Sequence, residues 1–318
     1  MFKESRIYVA GHTGLLGSAL VKKLSDSGHR NIITRRRAEL DLTSQSCVRE
    51  FFKTERPEYV FLAAGLTGGI AANKTYPADF FHTNIAIQDN VFEACRANGV
   101  KRAVFYGSSC VYPRLCPQPM KEKYIMTGQV EETSEAYAVA KIAGIRACKA
   151  YNAQDGVNRF IALIPNSMYG PNDNFSTENS HVLSALIRKL SFAFREGEKS
   201  VTLWGSGNPK REFIFSSDVA AASIFAVENA DKMENACYNL GTGVDCSIKE
   251  LASMIAGAVG FKGAIEWDTS KPDGAPRKLL DSSRFKSLGW NASTALEQGI
   301  KTTCLWYKEN YFKVGQCI

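Results

Sequence analysis

Tyr137 and Lys141 stand four residues apart, separated by Ala138, Val139 and Ala140. On a helix that spacing puts a phenol and an ammonium on one face, one turn from each other. A nearby positive charge favours phenolate over phenol. The lysine is therefore expected to lower the Tyr137 pKa and to let the phenol exchange a proton with a carbonyl or alcohol near neutral pH. Gly107-Ser108-Ser109-Cys110-Val111-Tyr112 begins where the apolar run Arg102 to Tyr106 ends. If that run is a strand of a parallel sheet, its carboxyl end is where such sheets keep their ligands, and Ser108 can hydrogen-bond a substrate oxygen beside Tyr137.

Gly11-His12-Thr13-Gly14-Leu15-Leu16-Gly17 lies between a short apolar run, Arg6 to Ala10, and a helical pattern, Leu15 to Ser27. Glycines there let the backbone turn tightly and approach a pyrophosphate, while the helix N-terminus presents free N–H donors and partial positive charge. The next strand would end in Thr34-Arg35-Arg36-Arg37, with no carboxylate until Glu39. An acidic residue at this point would bind a ribose 2′-hydroxyl, whereas Arg35 and Arg36 suit a 2′-phosphate through charge-assisted contacts. The expected cofactor is NADPH, with Asp41 and Leu42, just beyond, beside the adenine.

These loops need a frame, and the first half of the chain provides one by alternation. Arg6 to Ala10, Asn31 to Thr34, Tyr59 to Ala63, Arg102 to Tyr106 and Phe160 to Pro165 read as strands. Leu15 to Ser27, Ser44 to Lys53, Ile85 to Asn98 and Ser134 to Gln154 read as helices between them. The alternation means βαβ units, and the fold class it predicts is α/β, a Rossmann-like doubly wound parallel sheet. After Tyr169-Gly170-Pro171 the rhythm changes to a polar stretch, a helical pattern from His181 to Arg195 and a turn-rich segment from Trp204 to Pro209. The expected organisation is a dinucleotide-binding domain over 1–170, with 212–260 returning to it through a strand at Cys237 to Leu240 and a helix at Ser247 to Val259. A smaller, discontinuous α/β lobe over 171–211 and 261–318 would bind the substrate.

The chain has 318 residues, 45% hydrophobic and 22% charged, which excludes disorder, collagen and coiled-coil arrays. Its net charge of +7 is scattered apart from Arg35-Arg36-Arg37 and carries no aromatic interleaving, so no nucleic-acid partner is expected. Nine cysteines form no CxxC pair, and an odd number argues against a disulfide framework; no metal site is expected. The amino-terminal segment has no apolar leader region, and the run Tyr59 to Ala72 is broken by Gly65, Gly68 and Gly69. A membrane partner is not expected, and a cytoplasmic, reducing location is.

Glycine loop, strand-end serine and YxxxK, in this order and at these separations, resemble the extended short-chain dehydrogenase/reductase family. More closely, GSSCVYPRLCPQPMKE at 107–122, EAYAVAKIAG at 135–144, YGPNDNF at 169–175 followed by SHV, WGSGNPKREF at 204–213, KPDGAPRKLLD at 271–281 and TYPADF at 75–80 are similar to runs of the GDP-L-fucose synthase family. The resemblance implies an NADPH-dependent homodimer that epimerises a GDP-4-keto-6-deoxy-hexose at C3 and C5 and reduces its C4 ketone. It implies Cys110 and His181 as the acid/base pair of epimerisation, and Tyr137, Lys141 and Ser108 as the group that delivers a proton to O4. A thiol and an imidazole, with ordinary pKa values of about 8.5 and about 6.5, need only small shifts to serve near neutrality. Further cofactor contacts are implied at Tyr106, Gly107, Lys141, Pro165, Asn166, Ser167, Met168 and His181. GDP-sugar contacts are implied at Ser109, Lys189, Trp204, Arg211, Asp273 and Lys278, of which Arg211 and Lys278 suit phosphate and Trp204 offers a stacking face. Cys116 and the other cysteines read as structural.

The chain also departs from that family. Leu66-Thr67-Gly68-Gly69-Ile70 stands where Lys-Val-Gly-Gly-Ile is common, and Pro165-Asn166-Ser167-Met168 where Pro-Thr-Asn-Leu is usual. Phe213 to Asp218 differs as well. The first two segments fall at expected strand ends, where sugar and nicotinamide meet. They motivate an alternative: a C4 reductase without epimerase activity, acting on a modified GDP-sugar such as a GDP-4-keto-heptose. A non-catalytic NADP-binding sensor on the same fold would be expected to lose the tyrosine or the lysine of YxxxK, and both are present.

Overall fold

The computed structural model describes residues 1–177, 180–271 and 273–312; Pro272 of the KPDGAPRKLLD run and Cys317 lie outside the described residues. Its first half runs β1 (Ile7–Ala10), α1 (Leu15–Asp26), β2 (Ile32–Ile33), α2 (Gln45–Glu55), β3 (Tyr59–Leu62), α3 (Ile70–Thr75), α4 (Pro77–Ala97), β4 (Arg102–Tyr106), α5 (Glu135–Asp155) and β5 (Phe160–Pro165). There follow β6 (Ser167–Tyr169), α6 (Val182–Glu196), β7 (Ser200–Trp204), β8 (Lys210–Phe215), α7 (Ser216–Glu228) and β9 (Cys237–Leu240). The chain closes with β10 (Asp245–Ser247), α8 (Ile248–Val259), β11 (Ala264–Asp268), β12 (Arg277–Lys278), α9 (Ser283–Lys286) and α10 (Leu296–Tyr311).

Strands β2, β1, β3, β4, β5 and β9 lie side by side in that order, all parallel. A parallel sheet is covered on both faces, so its strands are largely apolar, and alternate residues feed opposite cores. Ile7, Val9, Phe61, Val104 and Leu163 pack with α1 and α7 on one face. Tyr8, Val60, Leu62, Phe105 and Ile164 pack with α2, α4 and α5 on the other. The order runs from β1 out to β2 and then back past β1 to β3, so the switch in direction falls between β1 and β3, and the crevice above it is where a ligand can enter.

The second half builds a lobe around β8, which has β10 and β12 as neighbours and also pairs with β6; β7 and β11 form a separate parallel pair. Helices α6, α8 and α10 supply its core through Leu186, Ile187, Leu190, Leu251, Ile255, Ile300 and Tyr307. This differs from the expected return of 212–260 to the large sheet. Strand β9 and helix α7 do join it, but α8 turns its apolar stripe, Leu251 with Ala252 and Ile255, onto α6 instead. Conversely, Phe285, Leu288 and Trp290, expected in the smaller lobe, pack with the large sheet. Helix α4 also starts earlier than the periodicity from Ile85 predicts, because Pro77 occupies its first turn, where a missing N–H costs nothing.

Helix α5 packs tightly against β4 and α4 at Gly144. Gln88 Nε2 on α4 donates to the Ala140 carbonyl at 3.0 Å, and Gly144 has no methyl to strike the Phe105 ring that lies against it. Gly144→Ala should lower stability by about 1–3 kcal/mol through overpacking, although alanine is the better helix former. Urea denaturation measures this, and an unchanged or raised midpoint would contradict the close fit.

Candidate active site

The glycine loop divides its glycines by task. Gly11 has φ +79° and sits so close to β3 that a Cβ would lie 2.8 Å from the Ala64 nitrogen; Gly17 would drive one into the Gly11 carbonyl. Both are demanded by the protein's own packing. Gly14, the N-cap of α1, has no side-chain cap, and a Cβ there would meet nothing nearer than 3.5 Å. His12 Nδ1 is buried without a hydrogen-bond partner among the described residues. Uncapped amide donors, a backbone unshielded by side chains at Gly14 and an orphaned polar atom fit a dinucleotide pyrophosphate at this helix N-terminus.

Of the two arginines at the end of β2, Arg35 turns back onto α2, where it pairs with Glu55 and lies 5.7 Å over the Phe51 ring. Arg36 remains exposed. A 2′-phosphate at Arg35 would have to compete with Glu55; Arg36 has no such rival in the described ion pairs. Asp41 Oδ1 accepts from the Thr43 backbone N–H and hydroxyl at 2.9 and 2.8 Å, which shapes the entry to α2. Leu42 is buried, its carbonyl held by Asn90.

At the end of β4, Ser108, Cys110, Tyr137 and Lys141 meet. Lys141 is buried at 6% exposure, and its Nζ donates to the Tyr106 carbonyl at 3.0 Å while lying 4.9 Å from the Phe105 ring and 5.8 Å from the Tyr137 ring. Burial pulls its pKa down to about 8, against a small rise from Cys110. Burial also pushes the Tyr137 phenol well above its ordinary range; Cys110 adds to this, and a hydrogen bond with Ser108 opposes it. This corrects the expectation that Lys141 lowers the Tyr137 pKa. The helical spacing is as expected, but burial, not the lysine, sets the direction of the shift. The Cys110 thiol is likewise raised by burial, with the Ser108 hydroxyl and the charges of Lys278 and Lys141 drawing it down.

Several residues expected at the cofactor are engaged within the protein itself. The Tyr106 hydroxyl points into the core and donates to Ser223 at 2.8 Å, leaving its carbonyl to Lys141. Gly107 leaves only 3.1 Å between a Cβ and Ile145. Asn166, between Pro165 and Ser167, is buried; its amide donates to Glu212 and reaches the Lys278 carbonyl at 3.4 Å, and its Oδ1 accepts from the Ser167 N–H. Met168 packs toward the core of the large sheet. His181 is the exposed N-cap of α6, on the smaller lobe.

On the expected substrate side, Lys278 stands opposite Arg211 in the β12/β8 register, which puts two cations side by side near Cys110. Burial lowers both pKa values. Ser109 and Lys278 line one small cavity. Trp204 is 73% exposed, with Lys271 5.8 Å over its ring. Asp273 accepts from the Ser206 N–H and hydroxyl at 2.9 and 2.6 Å and so ties down the turn after β7. Lys189 donates to the Thr202 carbonyl on β7.

Two residues that the motif reading did not single out organise these groups. Glu212 is fully buried, and its carboxylate accepts from Asn166, the Gly243 N–H at 2.6 Å and the Leu280 N–H at 3.0 Å. It thereby joins the end of β5 to β8 and to the segment after β12. Asn84, on α4, accepts from the Leu66 N–H at 3.2 Å and donates to the Leu66 carbonyl at 3.0 Å, pinning the segment that follows β3. A buried carboxylate between Arg and Phe, and an Asn inside a helical run, are the available signals; neither names its partners.

A family model described as "NAD dependent epimerase/dehydratase family" matches residues 7–241. GDP-L-fucose synthase 1 of Arabidopsis thaliana is 48% identical, over 97% of this chain and 94% of its own length. The GDP-L-fucose synthase of Escherichia coli is 46% identical, over 96% of this chain and 98% of its own. A solved GDP-mannoheptose C4 reductase from Campylobacter jejuni with NADP bound is 42% identical and superposes with a TM-score of 0.89, covering 97% of this chain and 99% of that one.

The depressed Lys141 pKa has a consequence for stability. The folded protein releases this proton near pH 8 and the unfolded chain at its ordinary 10.5. The cost of the buried ammonium is therefore fully present below pH 8 and fades as pH rises toward the unfolded value. Lys141→Met should be more stable than the parent at neutral pH, by about 1–3 kcal/mol, with the difference shrinking at alkaline pH. Urea denaturation of both proteins across that range tests the sign; a variant less stable at neutral pH would contradict it.

Proposed function

The chain belongs to the NAD dependent epimerase/dehydratase family, within its GDP-L-fucose synthase group, and on that footing we propose that it reduces the C4 ketone of a GDP-4-keto-6-deoxy-hexose with NADPH after epimerisation at C3 and C5. The observation that carries the reading is the buried cluster of Ser108, Cys110, Tyr137 and Lys141 at the end of β4, beside a glycine loop shaped for a pyrophosphate.

Gly11, Gly14, the α1 N-terminus and Arg36 would hold the dinucleotide, which supplies a hydride when bound. Burial keeps Tyr137 a neutral phenol, the form that can give its proton to O4 as negative charge develops there. The tyrosinate left behind lies beside the Lys141 ammonium, whose attraction offsets the desolvation of the new anion. Ser108 hydrogen-bonds the same oxygen and fixes its direction.

A 4-keto group acidifies the hydrogens on C3 and C5, so inversion needs a base on one face and an acid on the other. We assign these to Cys110 and His181. Lys278 and Lys141 draw the thiol toward thiolate, and the mobile proton of the imidazole suits the opposing role. Arg211 and Lys278 would face the diphosphate, while Trp204 offers its exposed ring to the nucleotide. Asp273 would act by holding the turn beside Trp204. A homodimer and a cytoplasmic setting are part of the same proposal.

The C4 reductase from C. jejuni, together with the departures at 66–70 and 165–168, motivates the second reading, reduction alone on a modified GDP-sugar. Incubating the enzyme with GDP-4-keto-6-deoxy-mannose in D₂O without NADPH distinguishes the two. Deuterium should enter C3 and C5, and Cys110→Ser should abolish the exchange while binding NADPH normally. No exchange by the parent enzyme would leave reduction alone. Tyr137→Phe should slow NADPH oxidation at least about 100-fold; near-parental turnover would remove its assigned role.

A further inference from the structure

Asn239 lies fully buried on β9, and the chemistry above gives it no task. A side-chain amide has one oxygen to accept with and two N–H bonds to donate. All are used here, by segments far apart in the sequence. Its Oδ1 accepts from the Tyr112 hydroxyl at 2.6 Å, and its Nδ2 donates to the carbonyls of Met120 at 2.9 Å and of Asp281 at 3.1 Å. Strand β9 is the last of the six, and the Asn239 backbone N–H donates to Glu122 Oε1 at 3.0 Å. A buried amide left without partners is costly, so these bonds favour one arrangement of the segments that supply them.

Two of those segments carry groups of the site. Tyr112 follows the single helical turn Ser109–Val111 that holds Cys110. Ser108 anchors the start of this turn, its carbonyl accepting from the Val111 N–H at 3.1 Å; Tyr112, 3% exposed, anchors the end. Asp281 lies just past Lys278, and the stretch between them is laced to the segment that follows Tyr112. The Leu279 N–H donates to Gln118 Oε1 at 2.8 Å, the Met120 N–H to the Leu279 carbonyl at 2.8 Å, and the Asp281 N–H to the Met120 carbonyl at 2.9 Å. Ser109, Tyr112, Met120 and Lys278 line one small cavity. Asn239 is bonded to both sides of this wall, to the Cys110 turn through Tyr112 and to the Lys278 segment through Asp281. Tyr137 and Lys141 are held separately, by α5 and the Tyr106 carbonyl.

We propose that Asn239 is a positioning residue for Cys110: through the Tyr112 hydroxyl it fixes the turn that carries the thiol, and through Asp281 it sets Lys278 on the same frame. The proposal rests on the epimerase reading, in which Cys110 is one member of the acid/base pair. It extends that reading to a residue buried behind the site.

The test follows deuterium entering C3 and C5 of GDP-4-keto-6-deoxy-mannose without NADPH, over a range of sugar concentrations. Tyr112→Phe keeps the ring and removes only the hydroxyl that reaches Asn239. Its exchange rate at saturation should fall about 10-fold or more, because a small misplacement of a reacting group is enough to slow a step. The half-saturating sugar concentration and the Kd for NADPH should stay near the parental values. A hydroxyl that serves folding alone would lower Tm and leave the saturated rate of the folded protein unchanged, which overturns the proposal. Asn239→Ala releases the Lys278 segment as well, so its saturated rate should fall and its half-saturating concentration rise. Adding Tyr112→Phe to Asn239→Ala should then cost little more, whereas independent, additive losses would overturn the joint. If Asn239→Ala does not fold, Tyr112→Phe decides alone. A parent protein that exchanges no deuterium would overturn the epimerase reading and leave the joint to amide hydrogen exchange in the ligand-free protein. There Tyr112→Phe should speed exchange at Cys110 and Val111 several-fold, and equal protection overturns the proposal.

Discussion

A single buried ammonium governs how the rest of this site is built. Lys141 is buried, with one backbone carbonyl as acceptor and two aromatic rings nearby. Desolvation on that scale disfavours the charge by several kcal/mol unless the surroundings are arranged to receive it. The arrangement begins with α5 lying against β4, which Gly144 permits, and continues with Tyr106, whose hydroxyl is anchored to Ser223 so that its carbonyl faces the ammonium. Asn84 fixes the segment after β3 close by, where a Cβ on Gly65 would lie 3.7 Å from Nζ and 2.8 Å from Asn84 Oδ1. Helix packing, strand-end geometry and proton affinity are here one problem.

A second buried charge ties the two halves of the molecule together. Glu212 lies in the lobe's central strand, but its carboxylate holds Asn166, at the end of a strand of the large sheet, and the Leu280 N–H, just past Lys278. The residues expected at the nicotinamide and those expected at the diphosphate are consequently referred to the same carboxylate. Burial raises the Glu212 pKa, and the donors from Leu280, Asn166 and Gly243 oppose the rise. A reaction that needs two ligands in register gains from such a shared anchor, because misplacement of either reacting partner is costly.

Much of this is legible in the sequence. The alternation of apolar runs with helical patterns predicts the parallel sheet, since strands covered on both faces have no polar side to show. The glycine triplet and the spacing of Tyr137 and Lys141 are local signals and needed only a strand and a helix to place them. What escaped the sequence is what depends on tertiary burial. The i,i+4 pair predicts a lowered tyrosine, yet the depth of the pocket reverses the sign. Arg35 reads as a phosphate ligand until α2 brings Glu55 to it. Helix α8 has the same pattern whichever core it faces, so its place beside α6 could not be read from periodicity. Glu212 carries no spacing signature, because its partners come from three distant segments.

If a buried, neutral Tyr137 gives its proton beside a charged Lys141, the rate of ketone reduction must follow the protonated forms of both. Single-turnover reduction of a GDP-4-keto sugar, measured across pH with NADPH saturating, tests this directly. The rate is predicted to be level below neutrality and to fall above pH 8, where Lys141 loses its charge. A rate that rises through that range, as a phenolate acting as base would give, would contradict the account.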